Sequence, residues 1–278
     1  MGNSTEKSID TLVIPAAGAG TRLRPITYAT PKEMLRLVDK PIAYYLLAEA
    51  YQAGIKRVIF ITHKDNQSTK KFFSNPLAKN LLVDFPGLAV SFIETGTRGG
   101  DGQAILLAEK AIAGRPFAVT MGDLLTLPGT SILAELVEVY REQGKSVISV
   151  ENIPRKKTGQ YGIINPGKKR GNIYTVRGII EKPPPPESPS TLAMTGKYIL
   201  FPEIFSYLRK LVDSQGELKL AHALNDYAKE HTLLACVTQT LHYDTGTKPD
   251  LLKAEIAFSL AHPELKKAAH SIVRDALK

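Results

Sequence analysis

Short apolar runs of strand length alternate with helix-like stretches through the first half of the chain. The apolar runs are rich in Val, Ile and Phe, which is typical of buried strands. We therefore predict strands at Thr11–Pro15, Arg57–Thr62, Leu88–Glu94, Pro116–Met121 and Ser146–Val150, and helices at Pro41–Ala53, Asn66–Phe73, Gly102–Ala113 and Ser131–Gln143. Strands that alternate with helices of this length form right-handed βαβ units around a mostly parallel sheet.

The pattern changes after Glu151. Strand-like runs are now joined by Gly/Lys loops and by the run Pro183–Pro186, which is typical of a stiff extended linker. We predict antiparallel strands at Tyr161–Asn165, Ile173–Glu181 and Leu192–Phe201, then helices at Pro202–Val212 and Leu218–Glu230, strands at Leu233–Val237 and Gln239–Tyr243, and two tail helices at Lys248–Ala261 and Pro263–Leu277.

Composition narrows the class of protein. Of 278 residues, 43% are hydrophobic and 23% charged, which predicts a globular chain without a membrane-spanning run. The net charge is +9, from 36 basic and 27 acidic residues, and it favours anionic partners such as nucleotides or sugar phosphates. No zinc-finger, RNP-type or basic-zipper pattern accompanies that charge, so we expect no nucleic-acid partner. The single cysteine, Cys236, lies in an apolar run, which favours a buried thiol and a cytoplasmic location.

A glycine-rich segment follows the first predicted strand. It reads Ala-Ala-Gly-Ala-Gly-Thr-Arg from Ala16 to Arg22, and glycines at such a position let backbone N–H groups approach a phosphate. It is not a dinucleotide fingerprint, because Leu23 occupies the position of the third glycine. It is not a Walker A loop either, since no Gly-Lys-Ser/Thr follows.

The segment continues into further motifs in a fixed order. Pro-x-Thr, Pro-Lys-Glu-Met-Leu and Asp-Lys-Pro follow the glycines, beginning at Pro25, Pro31 and Asp39. This compound pattern resembles the opening of the sugar-1-phosphate nucleotidylyltransferases, in particular the bacterial-type UTP–glucose-1-phosphate uridylyltransferases. The resemblance runs from about Leu12 to the tail helices and covers nearly the whole chain.

The resemblance implies an α/β fold: a Rossmann-like, mostly parallel mixed sheet flanked by helices (GT-A-like), with a small antiparallel sugar-binding portion and C-terminal helices. It divides the chain into a flexible N-terminus (1–10), a catalytic domain (11–246) and C-terminal helices with possible oligomer contacts (247–278). Within the catalytic domain, the nucleotide half is about 11–150 and the sugar half about 151–246. The implied protein is a homodimer or homotetramer.

The implied reaction transfers a uridylyl group from UTP to α-D-glucose 1-phosphate, with release of pyrophosphate. Two aspartates at predicted strand ends, Asp123 in Met-Gly-Asp and Asp244 in Asp-Thr-Gly, resemble the family's Mg²⁺ ligands. Two carboxylates suffice, because Mg²⁺ fills its other positions with phosphates and water. The residues implied to be catalytic are Arg22, Lys32, Asp123 and Lys182.

The binding residues follow one position at a time from the same resemblance. The nucleotide would contact Ala16, Ala17, Gly18, Gly20, Thr21, Arg22, Lys32, Thr95, Gly100, Gly102 and Gln103. The sugar phosphate would contact Gly162, Glu181, Lys182, Gly196 and Tyr198. In the family's Glu-Lys-Pro motif, here Glu181–Pro183, the glutamate accepts from sugar hydroxyls and the lysine binds the sugar phosphate.

The sequence departs from the family at positions that affect specificity. Thr95 stands where the family usually reads the pyrimidine with a glutamine, Gln103 where it has histidine, and Lys219 where it has glutamine. A hydroxyl cannot match the paired contacts of an amide, so the nucleotide and the hexose stay open. The alternatives are a thymidylyltransferase, a transferase acting on another hexose 1-phosphate, and a non-catalytic regulatory relative.

Overall fold

Nine of the ten predicted strands assemble into one large mixed sheet with helices on both faces. The computed structural model describes residues 8–75, 79–212 and 216–277. The described strands are β1 Thr11–Ala16, β2 Arg36–Leu37, β3 Lys40–Pro41, β4 Arg57–His63, β5 Ala89–Thr95, β6 Phe117–Thr120, β7 Leu124–Thr126, β8 Ser146–Asn152, β9 Gly162–Arg170, β10 Ile173–Glu181, β11 Leu192–Leu200, β12 Leu233–Val237 and β13 His242–Asp244.

The helices lie between these strands and at the C-terminal end of the chain. The described α-helices are α1 Ile42–Gln52, α2 Ser68–Ser74, α3 Lys79–Leu82, α4 Asp101–Leu106, α5 Glu109–Ile112, α6 Ile132–Gln143, α7 Ile204–Lys210, α8 Leu220–Glu230, α9 Lys248–Ala261 and α10 Lys266–Ala276. No helix of the described ranges is long and apolar enough to cross a membrane.

The strand order of the main sheet is β5-β4-β1-β6-β11-β8-β12-β10-β9. Of its described strands, β10 and β11 run against the shared direction of the others. The mixed, mostly parallel sheet predicted from the sequence is confirmed. Strand β11 comes from the predicted sugar half yet lies between β6 and β8 of the nucleotide half, so the two halves share one sheet.

Each face of the sheet buries its own hydrophobic core. Helices α1, α6 and α9 cover one face, with Leu46, Leu136 and Phe258 among the buried side chains. Helices α4, α7 and α8 cover the other, with Ile105 and Leu224 buried there. A parallel sheet covered on both faces leaves the carboxyl ends of its strands as the natural place for a ligand.

Several predicted segments differ from the structure. The strand predicted at Gln239–Tyr243 lies at His242–Asp244 and pairs with β7 outside the main sheet. The helix predicted at Gly102–Ala113 is interrupted after α4, where the Ala108 N–H donates to the Ile105 carbonyl in a tighter turn. The predicted flexible segment 1–10 lies outside the described residues up to position 7. Its last residues are held, because Ile9 is buried and the Asp10 carbonyl accepts from Lys56 N and Arg57 N at 2.9 Å each.

Candidate active site

A cleft of about 600 Å³ opens at the carboxyl ends of β1, β5 and β6. On one side the glycine loop leaves β1 and bends at Gly20, whose φ of +60° is left-handed. A Cβ there would lie 2.9 Å from the Thr27 methyl group, while the Thr27 hydroxyl donates to the Gly20 carbonyl at 2.8 Å. The bend therefore needs glycine, and it turns Arg22 toward the cleft.

Asp123 anchors the cationic side of the cleft. It lies in the turn between β6 and β7, and its Oδ2 accepts from Lys32 Nζ at 2.8 Å and lies 3.9 Å from Arg22 Nη2. Burial alone would raise the pKa of the Asp123 carboxyl, but the Lys32 ammonium lowers that pKa below its ordinary value. Burial alone would lower the pKa of Lys32, and the Asp123 carboxylate raises it instead. Both groups therefore stay charged.

A second carboxylate, Asp244, lies beside Asp123. Strand β13 pairs with β7, and the Thr245 N–H and hydroxyl donate to the Asp123 carbonyl at 2.8 and 3.0 Å. A Cβ on Gly246 would lie 2.9 Å from Asp244 Oδ1 and 3.0 Å from Asp123 Oδ2, so the two carboxylates border one small space. Burial, and then the Asp123 charge, raise the pKa of the Asp244 carboxyl.

This pair of carboxylates suits a hard divalent cation that completes its shell with phosphate oxygens and water. It does not resemble a metal site made wholly of protein ligands. Within the described ranges, no group of three or more His, Cys, Asp or Glu residues is placed to hold a metal. A cation at the two aspartates would therefore depend on a phosphorylated substrate for its remaining ligands.

The opposite wall carries Glu181 and two lysines. Glu181 ends β10, and its Oε1 lies 3.1 Å from Lys219 Nζ and 3.8 Å from Lys182 Nζ. Lys182 adopts a left-handed φ of 52°, and its N–H donates to the Tyr161 carbonyl at 2.9 Å. A non-glycine residue in this conformation is strained, and such strain occurs often at functional sites.

The third wall is formed by the end of β5 and the start of α4. The Thr95 hydroxyl accepts from the Thr97 N–H at 3.1 Å, so the short side chain is turned back on its own loop. Among the described residues, Gln103 Oε1 is buried without a hydrogen-bond partner. It lies so close to Gly99 that position 99 has no room for a side chain. Arg98 also lines the cleft, and its guanidinium lies 3.4 Å from the His63 ring.

The comparisons with known proteins bear on this geometry. The sequence pattern of the nucleotidyl transferase family matches residues 11–259. The chain belongs to the nucleotidyl transferase family. Relatives named UTP–glucose-1-phosphate uridylyltransferase include one from Staphylococcus epidermidis, 34% identical over 96% of this chain and 98% of its own. Another, YngB of Bacillus subtilis, is 34% identical over 98% of this chain and 97% of its own.

Solved structures agree with this nucleotidyl transferase in fold. UDP-glucose pyrophosphorylase from Acinetobacter baumannii has a TM-score of 0.88 at 29% identity, covering 98% of this chain and 100% of the other. A UDP-glucose pyrophosphorylase complexed with UDP-glucose has a TM-score of 0.83 at 31% identity, covering 90% of this chain and 98% of the other. The predicted family and the predicted fold class are confirmed.

Most residues predicted for the site of this nucleotidyl transferase line the cleft. They are Ala17, Gly18, Thr21, Arg22, Lys32, Thr95, Gly100, Gln103, Asp123, Glu181 and Lys182. Others lie behind the surface. Ala16 is buried at the end of β1. Gly102 packs under Leu218, whose Cδ2 would lie 2.2 Å from a Cβ at that position.

The predicted sugar-side residues outside the lining support the wall. At Gly162 a Cβ would lie 2.4 Å from Met194 Cε, and at Gly196 one would lie 2.2 Å from Leu124 Cδ1. Tyr198 is 5% exposed on β11, and burial, with the Asp101 and Glu181 charges, raises the pKa of its phenol. Tyr198 is therefore nearly buried and is not among the residues that line the cleft.

Sequence reasoning missed a buried ion pair beneath the Asp123 turn. Lys197 Nζ donates to Glu49 Oε2 at 2.7 Å, to Thr120 Oγ1 at 2.9 Å and to the Leu124 carbonyl at 2.8 Å. The Lys197 side chain is fully buried. One signal was present in the sequence, since a lysine interrupts an otherwise apolar strand. The sequence could not indicate its partner on α1, 148 positions away.

Proposed function

We propose that this nucleotidyl transferase transfers a uridylyl group from UTP to α-D-glucose 1-phosphate, giving UDP-glucose and pyrophosphate. One observation carries the proposal: the Lys32–Asp123 pair and the Glu181–Lys182 pair line the same cleft of about 600 Å³. Such a cleft can hold two phosphorylated substrates side by side. The names of the relatives, and the UTP-bound state of the Acinetobacter baumannii enzyme, support the choice of substrates.

The proposed reaction is an in-line displacement at phosphorus. An oxygen of the sugar phosphate forms the new bond to the α-phosphorus, and the bond between the α-phosphorus and the α–β bridging oxygen breaks as pyrophosphate leaves. No general base is needed, because a phosphate monoester has a second pKa of about 6 and is largely dianionic near neutral pH. The protein must therefore position two anions that repel each other and neutralise the charge that develops.

The charged groups expected to surround the reacting phosphates have distinct roles in this proposal. Lys182 holds the attacking phosphate, while Lys32 and Arg22 bind the triphosphate and the departing pyrophosphate. Among the described residues, the Lys32 ammonium hydrogen-bonds only to Asp123, which leaves ammonium protons for phosphate oxygens. Asp123 and Asp244 would hold Mg²⁺, which supplies further neutralisation of phosphate charge when bound.

Pyrophosphate release tests the proposal directly. Folded protein is assayed with Mg²⁺ and glucose 1-phosphate, in parallel with UTP, dTTP, ATP, GTP and CTP. We expect release with UTP above all others. Release with dTTP instead would support the thymidylyltransferase alternative, and release only with another hexose 1-phosphate would change the acceptor. If no pyrophosphate is released with any combination of nucleotide and hexose 1-phosphate, the result would favour a non-catalytic relative.

Thr95→Gln tests the base side of the cleft. If residue 95 lies at the pyrimidine edge, a longer amide provides paired donor and acceptor contacts that the hydroxyl lacks, and UTP preference should rise. We expect roughly a ten-fold gain in kcat/KM for UTP relative to CTP, the order of one good hydrogen-bonding contact. Thr232→Gln, at an exposed threonine outside the cleft lining, is the matched control. An unchanged nucleotide profile would place base recognition elsewhere.

The proposal also covers the oligomeric state of the enzyme and its cellular compartment. We propose a cytoplasmic homodimer or homotetramer that assembles through the tail helices 247–278. The support for assembly is the exposure of Ile272 and Leu277 on and next to α10. The support for a reducing compartment is the single cysteine, Cys236, which is buried on β12. Light scattering after size-exclusion chromatography measures the oligomeric state.

A further inference from the structure

Lys219 is a charged group of the cleft that the proposed reaction does not use. It lines the cleft beside the two residues of the Glu-Lys-Pro motif, and its Nζ donates to Glu181 Oε1 at 3.1 Å. Its side chain is 30% exposed, against 51% for Lys182. Lys219 is therefore closer to Glu181 and more enclosed than the lysine that the proposed reaction already uses.

The backbone on both sides of Lys219 is fixed. The Leu218 N–H donates to the Gly99 carbonyl at 2.7 Å, and the Leu218 carbonyl accepts from Gly102 N at 2.9 Å. The Leu220 N–H donates to Asp101 Oδ1 at 3.0 Å. This segment cannot shift without breaking its hydrogen bonds to the loop 99–102. The backbone of Lys219 is therefore held in place before any substrate arrives.

The Glu181 carboxylate is also confined. Its Oε2 fills the space over Gly162, where a Cβ would lie 3.2 Å from that oxygen. Its Oε1 faces Lys219 and, at 3.8 Å, Lys182. One oxygen of the Glu181 carboxylate thus faces the wall, and the other faces two lysine ammonium groups. A hydroxyl group placed beside Oε1 can therefore reach an acceptor and a charged donor at once.

We propose that Lys219 is a sugar-binding residue that acts together with Glu181 on one hydroxyl of the hexose 1-phosphate. The sugar hydroxyl donates a hydrogen bond to the Glu181 carboxylate and accepts one from the Lys219 ammonium. Both the donor and the acceptor capacity of the hydroxyl are then satisfied. A site built this way rejects an analogue without that hydroxyl, because two charged groups lose a partner. The inference rests on the proposed function, together with the expectation from the family resemblance that Glu181 accepts from sugar hydroxyls.

The test combines a side-chain deletion with deletion of single hydroxyls from the substrate. Lys219→Met keeps the length of the side chain and removes the donor. Glucose 1-phosphate and its 2-, 3-, 4- and 6-deoxy analogues are compared by pyrophosphate release at saturating UTP. The matched control is Lys229→Met, which removes the same charge from an exposed pair with Asp226. Lys219→Arg is the conservative variant.

We expect Lys219→Met to lower kcat/KM for glucose 1-phosphate about ten-fold, the order of one charge-assisted hydrogen bond. The loss should appear mainly in KM, with the dissociation constant of UTP unchanged. One deoxy analogue should be used equally by the parent protein and by Lys219→Met, since both lack the same interaction. Lys219→Arg should restore at least half of the lost kcat/KM, and Lys229→Met should behave as the parent.

Two outcomes would overturn the assignment. One is an equal loss with every deoxy analogue, which would mean that Lys219 acts only through general charge. The other is no loss with glucose 1-phosphate. If Lys219→Met does not fold, as judged by thermal melting, Lys219→Ala, which also removes the donor, takes its place in the same comparison. Failure of the proposed function is separate, because the parent protein would then release no pyrophosphate from UTP and glucose 1-phosphate.

Discussion

Two lysine–carboxylate pairs lie at or directly beneath the turn that carries Asp123. They have nearly the same N···O distance but differ in burial and in hydrogen bonding. Lys32 and Asp123 are 2.8 Å apart at the surface of the cleft, and Lys197 and Glu49 are 2.7 Å apart beneath it. The cleft pair keeps 17% and 14% of its side-chain surface exposed, while the buried pair keeps 0% and 2%. Distance alone therefore does not distinguish a functional pair from a structural one.

Their hydrogen bonds do distinguish them. The Lys197 ammonium uses its three protons on Glu49, Thr120 and Leu124, and the other oxygen of Glu49 accepts from Leu133 N at 3.2 Å. Among the described residues, the Lys32 ammonium donates only to Asp123. A satisfied pair stabilises the turn that carries Asp123, whereas an unsatisfied pair keeps donors for a ligand.

The largest expected effect comes from breaking the buried pair. Lys197→Met leaves the Glu49 carboxylate buried without its cation, and we expect the free energy of unfolding to fall by about 3–5 kcal/mol. Lys32→Met should cost only about 1–2 kcal/mol, because Asp123 remains in contact with solvent and near Arg22. Urea unfolding of both variants measures the difference. Equal losses would contradict the distinction between the pairs.

Breaking the cleft pair should act on activity instead. Asp123→Ala removes a proposed metal ligand and the partner of Lys32, and we expect kcat/KM to fall by about 10²–10³ or more in a protein that still folds. Pyrophosphate release and circular dichroism are measured on the same preparation. Asp226→Ala, on the surface, is the control. Near-normal turnover by Asp123→Ala would remove this residue from the mechanism.

A smaller effect, of opposite sign for stability and activity, is expected at Asp244. Its raised pKa means that ionising this carboxyl at neutral pH costs folded-state free energy. Asp244→Asn should therefore raise the melting temperature by about 1–3 °C at pH 7 in a chelator, while lowering activity. The gain in stability should fade as the pH falls through the raised pKa of Asp244 towards the ordinary aspartate pKa, and it should be gone below the ordinary value, where the carboxyl is protonated in both states. A gain that is independent of pH would exclude the cost of ionising the buried carboxyl as its cause.

The contrast between the pairs also shows how far sequence reasoning reaches. Asp123, Lys32 and Lys182 were predicted as site residues because each belongs to a short motif whose order along the chain is itself informative. Lys197 lies between Gly196 and Tyr198, and no short motif predicts a role for it. Its role depends on a helix near the other end of the chain, and no local pattern encodes that contact.

The bounds of strands and helices likewise depend partly on local sequence and partly on the folded chain. The bounds of β10 and β12 were predicted to the residue, since apolar runs between turn residues mark a strand locally. The helix predicted at Gly102–Ala113 was wrong in its continuity. An Ala/Leu-rich stretch favours an unbroken helix, and a turn at Ala108 interrupts it in the folded chain.

By itself, the sequence determined the α/β class, the family and the identity of most charged groups in the cleft, because these depend on local periodicity and on ordered motifs. The tertiary structure alone decided that β11 inserts between β6 and β8, that Lys197 meets Glu49, and that Lys219 meets Glu181. Each of these joins residues far apart along the chain. Their free energy depends on burial and on shared hydrogen-bond partners, which exist only once the sheet has assembled.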